Sequence, residues 1–238
     1  MQKGVSTLQT VRIEPLGDGA AVVRLGTRID PETHRQVRRL VLAVDRDAPP
    51  WLVELVPAFT TVTVFYDAVQ ADFAEVEDWL RSRLAVLGDD PLPPPREVRI
   101  PVCYGGEFGP DLGVVAAHNG LTEDEVISIH SQGEYLVYMI GFAPGFPYLG
   151  GLSERIATPR RSTPRVSIPA GTVGIAGMQT GVYPISTPGG WQLIGRTPVR
   201  LFRPEQDPPT LLQAGDIVRF DPISPEEYQA LLEGGDVQ

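Results

Sequence analysis

Residues 165–202 read RVSIPAGTVGIAGMQTGVYPISTPGGWQLIGRTPVRLF. Short runs of β-branched and aromatic residues alternate here with glycine and proline, which is typical of short strands joined by tight turns. The same pattern begins at Tyr135–Ile140 and continues to Ile217–Phe220. The strands predicted between these two runs are Arg165–Ile168, Thr172–Ala176, Gly181–Ser186, Trp191–Arg196 and Val199–Phe202. So many short strands in succession predict a closed β-barrel or a β-sandwich.

The stretch Tyr135–Ser153 carries no charged residue, so a membrane span has to be considered. Pro144 and Pro147 lie in its middle among several glycines. A helix interrupted in this way would leave backbone groups without hydrogen-bond partners in lipid. We therefore predict a buried strand that runs into an ordered loop, and no membrane span.

The N-terminal part of the chain is organised differently, because strand-like and helix-like patterns alternate there. Arg12–Leu16 and Ala20–Leu25 form a predicted hairpin, and Asp30 caps a predicted helix. Two further strand-like runs and a second helix give the order ββαββα. We predict an α+β domain over residues 1–90, a stiff proline-rich linker over 91–96, and a mainly β domain over 97–238.

The composition excludes several classes of partner and site. The formal net charge is −10, which argues against nucleic acid because phosphate binding requires a basic surface. The N-terminus has no secretory pattern, and the only cysteine, Cys103, cannot form an internal disulfide, so a cytoplasmic location is expected. Cys103 lies in a strand-like run and is interpreted as a core thiol. The histidines His34, His118 and His130 have no metal-ligand spacing, and we predict no metal site.

Seven arginines and no Asp, Glu or Lys occur between Arg155 and Pro204, in a chain that is otherwise acidic. Arginine offers a planar fork of donors suited to carboxylates and phosphates. This reversal of charge predicts a site for a small anion or for an acidic partner surface, although each arginine taken singly fits a solvated strand face as well. The glycine-rich segment Gly171–Gly177 lacks the Lys-Ser/Thr of a phosphate loop and precedes no helical pattern, so ATP binding is not assigned to it.

Three long motifs point to a known family. They are VYMIGFAPGFPYLGGL (137–152), TPRVSIPAGTVGIAGMQTGVYP (163–184) and PGGWQLIGRTP (188–198). The chain resembles the family known as the 5-oxoprolinase B subunit, allophanate hydrolase subunit 1 or the KipI-type kinase inhibitor. The resemblance implies a cyclophilin-like barrel behind the α+β domain, and a heteromer with a homologous larger subunit (the C subunit, or allophanate hydrolase subunit 2) and a third oxoprolinase subunit. It also implies a hydrolase complex that consumes ATP to open 5-oxo-L-proline to L-glutamate, with this chain inactive alone.

Opening an unstrained lactam requires cations that stabilise the charge developing on the carbonyl oxygen, and a clamp on the substrate carboxylate. The candidate catalytic residues are Arg165 and Arg196, with His130 as the general base. The candidate substrate-binding residues are Arg160, Gln179, Tyr183, Trp191 and Phe146. A structural role fits His130 equally well.

Three other functions stay open. The resemblance includes inhibitors that bind a sensor histidine kinase, in which case the arginines would contact acidic groups of the kinase. A component of an amide hydrolase or carboxylase that acts on allophanate or a urea derivative is the second. Peptidyl-prolyl isomerisation is the weakest, because it rests on the cyclophilin-like fold alone and fold does not determine function.

Overall fold

The computed structural model describes residues 11–88 and 92–234. Part of the predicted linker and the ends of both predicted domains lie outside the described residues, in 1–10, 89–91 and 235–238. The chain divides into two compact units, Met1–Pro94 and Pro95–Gln238, and each has its own apolar core. Within the described ranges, no helix combines the length and the apolar character that a membrane span requires.

In the first unit, two helices pack on one face of a four-stranded antiparallel sheet. The strands are β1 (Arg12–Pro15), β2 (Ala20–Arg24), β3 (Leu52–Pro57) and β4 (Thr61–Tyr66), in the spatial order β1-β2-β4-β3. The helices are α1 (Pro31–Arg46) and α2 (Phe73–Ala85). Alternate residues of the two central strands, such as Val23, Val62 and Val64, are fully buried against the apolar helix faces.

Side-chain caps determine where these two helices begin. The Asp30 carboxylate accepts a hydrogen bond from the Thr33 backbone N–H at 2.8 Å, and Pro31 occupies the first turn, where no backbone donor is needed. At α2, Asp72 and Glu75 form a reciprocal capping box. These signals are local in sequence, which is why the predicted start of α1 agrees with the structure.

The second unit contains a closed seven-stranded barrel with the strand order β10-β7-β6-β13-β5-β12-β9. These strands are β5 (Glu97–Tyr104), β6 (Tyr135–Ile140), β7 (Pro147–Gly150), β9 (Thr172–Ala176), β10 (Gln179–Val182), β12 (Gln192–Arg196) and β13 (Ile217–Pro222). A separate two-stranded sheet pairs β8 (Arg165–Ile168) with β11 (Thr187–Gly189). The helices of this unit are α3 (Leu112–Asn119), α4 (Glu123–Ser131) and α5 (Pro225–Glu233). The predicted barrel-containing α+β fold is confirmed.

The barrel is closed where its last strand in sequence, β13, pairs with its first strand, β5. Strand β13 pairs in parallel with β5 and antiparallel with β6. Next to this pairing, Arg96 Nη2 lies 2.5 Å from Oδ2 of the buried Asp216 carboxylate. The interior is filled by branched aliphatic side chains together with Tyr135 and Phe220. The barrel is therefore a packed core with no channel among the residues described.

The structure corrects some of the predicted strands. The uncharged stretch Tyr135–Ser153 forms β6 followed by a hydrogen-bonded loop, as predicted. The loop leads into β7, which was not predicted because this strand begins at Pro147. Val199–Phe202 is predicted as a strand and is not one, since Phe202 makes only an isolated bridge with Thr210. The Val199 backbone N–H instead donates to the Thr197 hydroxyl at 3.1 Å, so it is unavailable to a strand ladder.

Two glycines that flank β9, Gly171 and Gly177, have positive φ angles of +80° and +57°. A Cβ at Gly171 would lie 2.3 Å from the Thr197 carbonyl oxygen, whereas one at Gly177 would meet nothing within 4 Å. We expect Gly171→Ala to lower the free energy of unfolding by about 2 kcal/mol more than Gly177→Ala, whose own cost of about 1 kcal/mol comes only from the left-handed backbone. Urea denaturation of the two variants measures the difference, and equal losses would contradict the predicted clash.

Candidate functional site

An aromatic cluster lies on the outer face of the barrel, beside β10. The Phe146 ring stands edge-on to Tyr183 and to Trp191, with ring centroids 5.5 and 5.7 Å apart. On β10, Val182 packs into the barrel core, so the neighbouring Gly181 faces outward. Because Gly181 has no side chain, both rings approach the strand closely: a Cβ there would lie 3.1 Å from Phe146 and 3.3 Å from Trp191.

Two arginines beside this cluster are held by one buried carboxylate. Asp111 is 3% exposed, and its Oδ1 accepts hydrogen bonds from Arg165 Nη2 at 2.8 Å and from Arg161 Nη1 at 3.2 Å. Its Oδ2 accepts from the Leu193 backbone N–H at 2.7 Å. Arg165 Nη1 also lies 3.5 Å from the Trp191 carbonyl oxygen, next to the aromatic cluster. The Asp111 carboxylate therefore orients two guanidiniums, and Asp111, Arg161 and Arg165 together carry one net positive charge.

A third arginine, Arg160, is exposed, and its positive charge acts on Tyr183. Burial raises the pKa of Tyr183 to about 12, and the positive charges of Arg160 and Arg165 oppose this rise. Tyr183 is protonated at neutral pH and can donate a hydrogen bond. Phe146, Tyr183 and Trp191 are only 2–6% exposed, so the groups that this cluster presents to solvent are the guanidiniums, which suit negatively charged oxygens.

Most of the predicted site residues thus come together, and we call them the aromatic–arginine site: Phe146, Arg160, Arg165, Tyr183 and Trp191. The structure does not bring the other predicted residues into it. Gln179 begins β10 on the same face as Tyr183, but about 13 Å away along the strand. Arg196 lies at the far end of β12 from Trp191, and its positive charge opposes the burial that raises the pKa of Tyr228 in α5.

His130 lies inside the barrel, and its position does not support a catalytic role. It is fully buried, with Nδ1 2.8 Å from the Tyr104 hydroxyl, Nε2 2.9 Å from the Thr180 hydroxyl and its ring stacked on Phe220. A general base needs a nitrogen that can reach the substrate, and both nitrogens of His130 have partners inside the protein. The structural interpretation of His130 is therefore favoured over the general base.

Burial lowers the pKa of His130 to about 3 in the folded protein, from an ordinary value of 6.5. Below pH 6.5 the unfolded chain takes up a proton at this residue and the folded chain does not, so stability falls as the pH is lowered towards 3. We expect the acid-induced loss of unfolding free energy between pH 7 and pH 5 to be about 2 kcal/mol smaller in His130→Gln than in the wild type.

Urea denaturation at both pH values measures this difference. His118→Gln is the matched control for the replacement itself, because His118 is exposed at the end of α3. An acid-induced loss in His130→Gln equal to that of the wild type would contradict the burial of a neutral histidine.

Sequence reasoning misses Asp111, which lies 50 and 54 residues before the two arginines that it orients. The available signal is the long arginine-rich segment without a single acid, because partly buried guanidiniums require a carboxylate from elsewhere in the chain. Within the part of the chain that the structure describes, no three His, Cys, Asp or Glu side chains are grouped to hold a metal ion. A cavity of about 590 Å³ in the first unit, at the C-terminal ends of α1 and α2, contains none of the predicted site residues.

Residues 11–212 match the family model described as carboxyltransferase domain, subdomain C and D. The chain belongs to this family. One relative, the B subunit of 5-oxoprolinase from Bacillus subtilis (strain 168), is 54% identical over 236 residues, which cover 94% of this chain and 98% of that protein. The corresponding B subunit from Escherichia coli O157:H7 is 45% identical over 220 residues, covering 90% of this chain and 97% of that protein. The resemblance inferred from the three motifs is confirmed.

Solved structures extend the comparison with this carboxyltransferase family. PH0987 of Pyrococcus horikoshii, a conserved uncharacterized protein, is 48% identical, with a TM-score of 0.55, over 91% of this chain and 100% of that chain. TTHA0988 is 35% identical, with a TM-score of 0.77, over 87% of this chain and 40% of that chain. The urea amidolyase of K. lactis, 21% identical with a TM-score of 0.76 over 94% of this chain and 15% of that chain, shares the fold. In the last two proteins the shared fold is one part of a longer chain.

Proposed function

We propose that this chain is a subunit of a 5-oxoprolinase complex that uses ATP to open 5-oxo-L-proline to L-glutamate. The observation that carries the proposal is the 54% identity to the 5-oxoprolinase B subunit of Bacillus subtilis over 98% of that protein. Because the match covers 98% of the relative, nearly all of that protein has a counterpart in this chain. The positive charge of the aromatic–arginine site supports a substrate that carries a carboxylate.

The proposed substrate is a five-membered lactam with one carboxylate, and its two oxygen-bearing groups have partners among the arginines of the aromatic–arginine site. The exposed Arg160 guanidinium binds the substrate carboxylate, which it can do bidentately. Arg165, held by Asp111, faces the lactam oxygen as charge develops on it. Phe146 and Trp191 are buried and pack against each other beside Arg165.

The proposed reaction begins with transfer of the γ-phosphoryl group of ATP to the lactam oxygen, which makes the ring carbon electrophilic. Water then adds to that carbon, the C–N bond breaks and the nitrogen takes a proton, which leaves γ-glutamyl phosphate; a second water then releases phosphate and gives the γ-carboxylate of glutamate. Three guanidiniums, those of Arg160, Arg161 and Arg165, outnumber the one carboxylate of Asp111 and stabilise the anionic oxygen. ATP is not assigned to Gly171–Gly177, because this segment folds as β9 and its turn, without the helix that a phosphate loop precedes.

The proposed assembly contains a homologous larger subunit and a third oxoprolinase subunit, in the cytoplasm. The match to only 40% of TTHA0988 supports a fold that works beside further protein modules. We also propose that the barrel is of the cyclophilin type. On this proposal the isolated chain is inactive, because neither the ATP site nor a general base is supplied by the aromatic–arginine site.

The test is co-expression of this chain with its larger partner and the third subunit, followed by an assay of ATP-dependent glutamate release from 5-oxoproline. Activity that requires all three components supports the proposal. An intact assembly without activity would contradict it, and assays with allophanate and urea derivatives, and of histidine-kinase autophosphorylation, would then separate the remaining alternatives.

A further inference from the structure

Asp111 is the N-terminal cap residue of α3, yet its side chain does not cap that helix. An aspartate at this position favours a hydrogen bond from the first turn of its own helix to its carboxylate. In the other α-helices among the described residues the cap side chain accepts such a bond, at Asp30, Asp72, Thr122 and Ser224. The Asp111 carboxylate is instead used by groups outside its own helix.

Asp111 is bonded to β12 in both directions. Its backbone N–H donates to the Leu193 carbonyl oxygen at 2.8 Å, while its Oδ2 accepts from the Leu193 N–H at 2.7 Å. These two bonds determine the direction in which Oδ1 points, and Oδ1 is the atom that Arg161 and Arg165 share. The orientation of both guanidiniums therefore depends on how Asp111 is held against the strand.

The turn that precedes Asp111 lies directly against β12. The Gly105 N–H donates to the Ile194 carbonyl oxygen at 3.1 Å, and a Cβ at Gly109 would lie 2.1 Å from the same oxygen. Any side chain at position 109 would push the turn away from the strand. Gly109 thus permits the close approach that brings the Asp111 carboxylate to Arg165.

Folding alone does not account for this arrangement. A carboxylate shared by two arginines in a partly buried place adds little net stability over apolar side chains, because taking the charges out of water offsets their attraction. Helix α3 also lacks the side-chain cap that Asp111 would otherwise provide. Arg161 and Arg165 keep 36% and 24% of their side-chain surface exposed, so the arrangement presents two oriented guanidiniums to solvent.

We propose that Asp111 is a positioning residue for the reaction, which does not touch the substrate and acts through Arg165. This inference rests on the proposed function. Arg165 is held from two sides, by Asp111 Oδ1 at 2.8 Å and by the Trp191 carbonyl oxygen at 3.5 Å. A guanidinium that is fixed before the reaction stabilises the charge developing on the lactam oxygen without first reorienting. Release of Arg165 from Asp111 therefore slows the chemical step more than it weakens substrate binding.

The first experiment measures Asp111→Asn in the complete three-component assembly. We expect kcat for 5-oxoproline to fall about tenfold while KM changes less than about twofold, because the contact that is lost acts on the transition state. Asp216→Asn is the matched control: Asp216 is also buried and pairs with Arg96, at the seam between β5 and β13. Its kcat and KM should equal those of the wild type.

A double-mutant cycle shows whether Asp111 acts through Arg165. Arg165→Lys keeps the charge but cannot contact Asp111 and the Trp191 carbonyl oxygen together, so it also lowers kcat. In the Arg165→Lys background, Asp111→Asn should lower kcat by less than about threefold further. A role of Asp111 in overall stability alone would instead give the same factor in both backgrounds.

The isolated full chain gives a second measurement that does not depend on the substrate. In ¹⁵N NMR spectra, slow rotation of the restrained Arg165 guanidinium should give separate Nη signals in the wild type and in Asp216→Asn. The same signals should be averaged in Asp111→Asn, where this restraint is weakened.

The outcomes separate this inference from the proposed function. A wild-type kcat in Asp111→Asn, an equal loss in both backgrounds of the cycle, or averaged Arg165 signals in the wild-type chain would each overturn the positioning role and leave the proposed function intact. A wild-type assembly that does not open 5-oxoproline would remove the proposed function, and the role of Asp111 in the reaction with it.

Discussion

Replacing Asp111 with alanine is expected to lower the free energy of unfolding by about 3 kcal/mol. The substitution leaves Arg161 and Arg165 as neighbouring positive charges without their shared carboxylate, and it leaves the Leu193 N–H without an acceptor. Both effects are large because Asp111 is almost fully buried. Urea denaturation of the purified chain at pH 7 measures the loss.

Two further variants make the Asp111 test specific. Asp111→Asn keeps an oxygen acceptor but removes the charge, so it should lose about half as much stability as the alanine variant. Glu205→Ala breaks an exposed ion pair with Arg200 and should cost less than about 1 kcal/mol. Equal losses in Asp111→Ala and Glu205→Ala would show that the buried carboxylate does not hold the arginines in place.

Replacing Arg160 with alanine is expected to lower kcat/KM for 5-oxoproline about 100-fold in the complete assembly, chiefly through KM. Loss of a charge-assisted, bidentate contact to the substrate carboxylate accounts for roughly 3 kcal/mol, which corresponds to that factor. Arg160→Lys should recover only part of the affinity, because an ammonium group cannot form the bidentate contact. Steady-state kinetics with purified assemblies measure both variants.

The control for Arg160 is Arg200→Ala. Arg200 lies in the same arginine-rich segment and is also exposed, but it pairs with Glu205 and has no contact with the aromatic–arginine site among the residues described. Its kinetics should match those of the wild type. Equal effects of the two substitutions would indicate that the segment contributes a diffuse positive charge and not a defined carboxylate contact.

The elements predicted correctly from sequence are those whose signals are local. Asp30 followed by Pro31 specifies the start of α1, and Thr122 with Glu125 forms a capping box at the start of α4. Helix α5 carries the same kind of signal, Ser224 with Glu227, and a search for capping boxes would have found it. Val199–Phe202 has a strand-like composition, but it forms no strand because its backbone hydrogen bonds go to Thr197 and, in one isolated bridge, to Thr210. Composition alone does not predict these partners.

The residues of the site divide in the same way. Phe146, Tyr183 and Trp191 lie in motifs whose glycines indicate close packing, and the structure places their rings together. Asp111 could not be predicted, because its contact with Arg165 depends on how α3 and the arginine-rich segment meet in three dimensions. His130 is a residue that the sequence suggested and the structure places in the core. The local sequence around a histidine is the same whether its side chain lies in a functional site or in a packed core.

The parallel pairing of β5 with β13 has a consequence for the synthesis of this chain. The Arg96–Asp216 contact at this seam joins residues 120 positions apart, so the ribosome must add almost all of the second unit before the barrel can close. Until β13 emerges, the nascent strands β5 and β6 each present an edge that will later be paired. Contacts so distant in sequence slow folding, and open edges are prone to wrong pairing. The unpaired edges of β5 and β6 therefore stay exposed to aggregation until β13 has been translated.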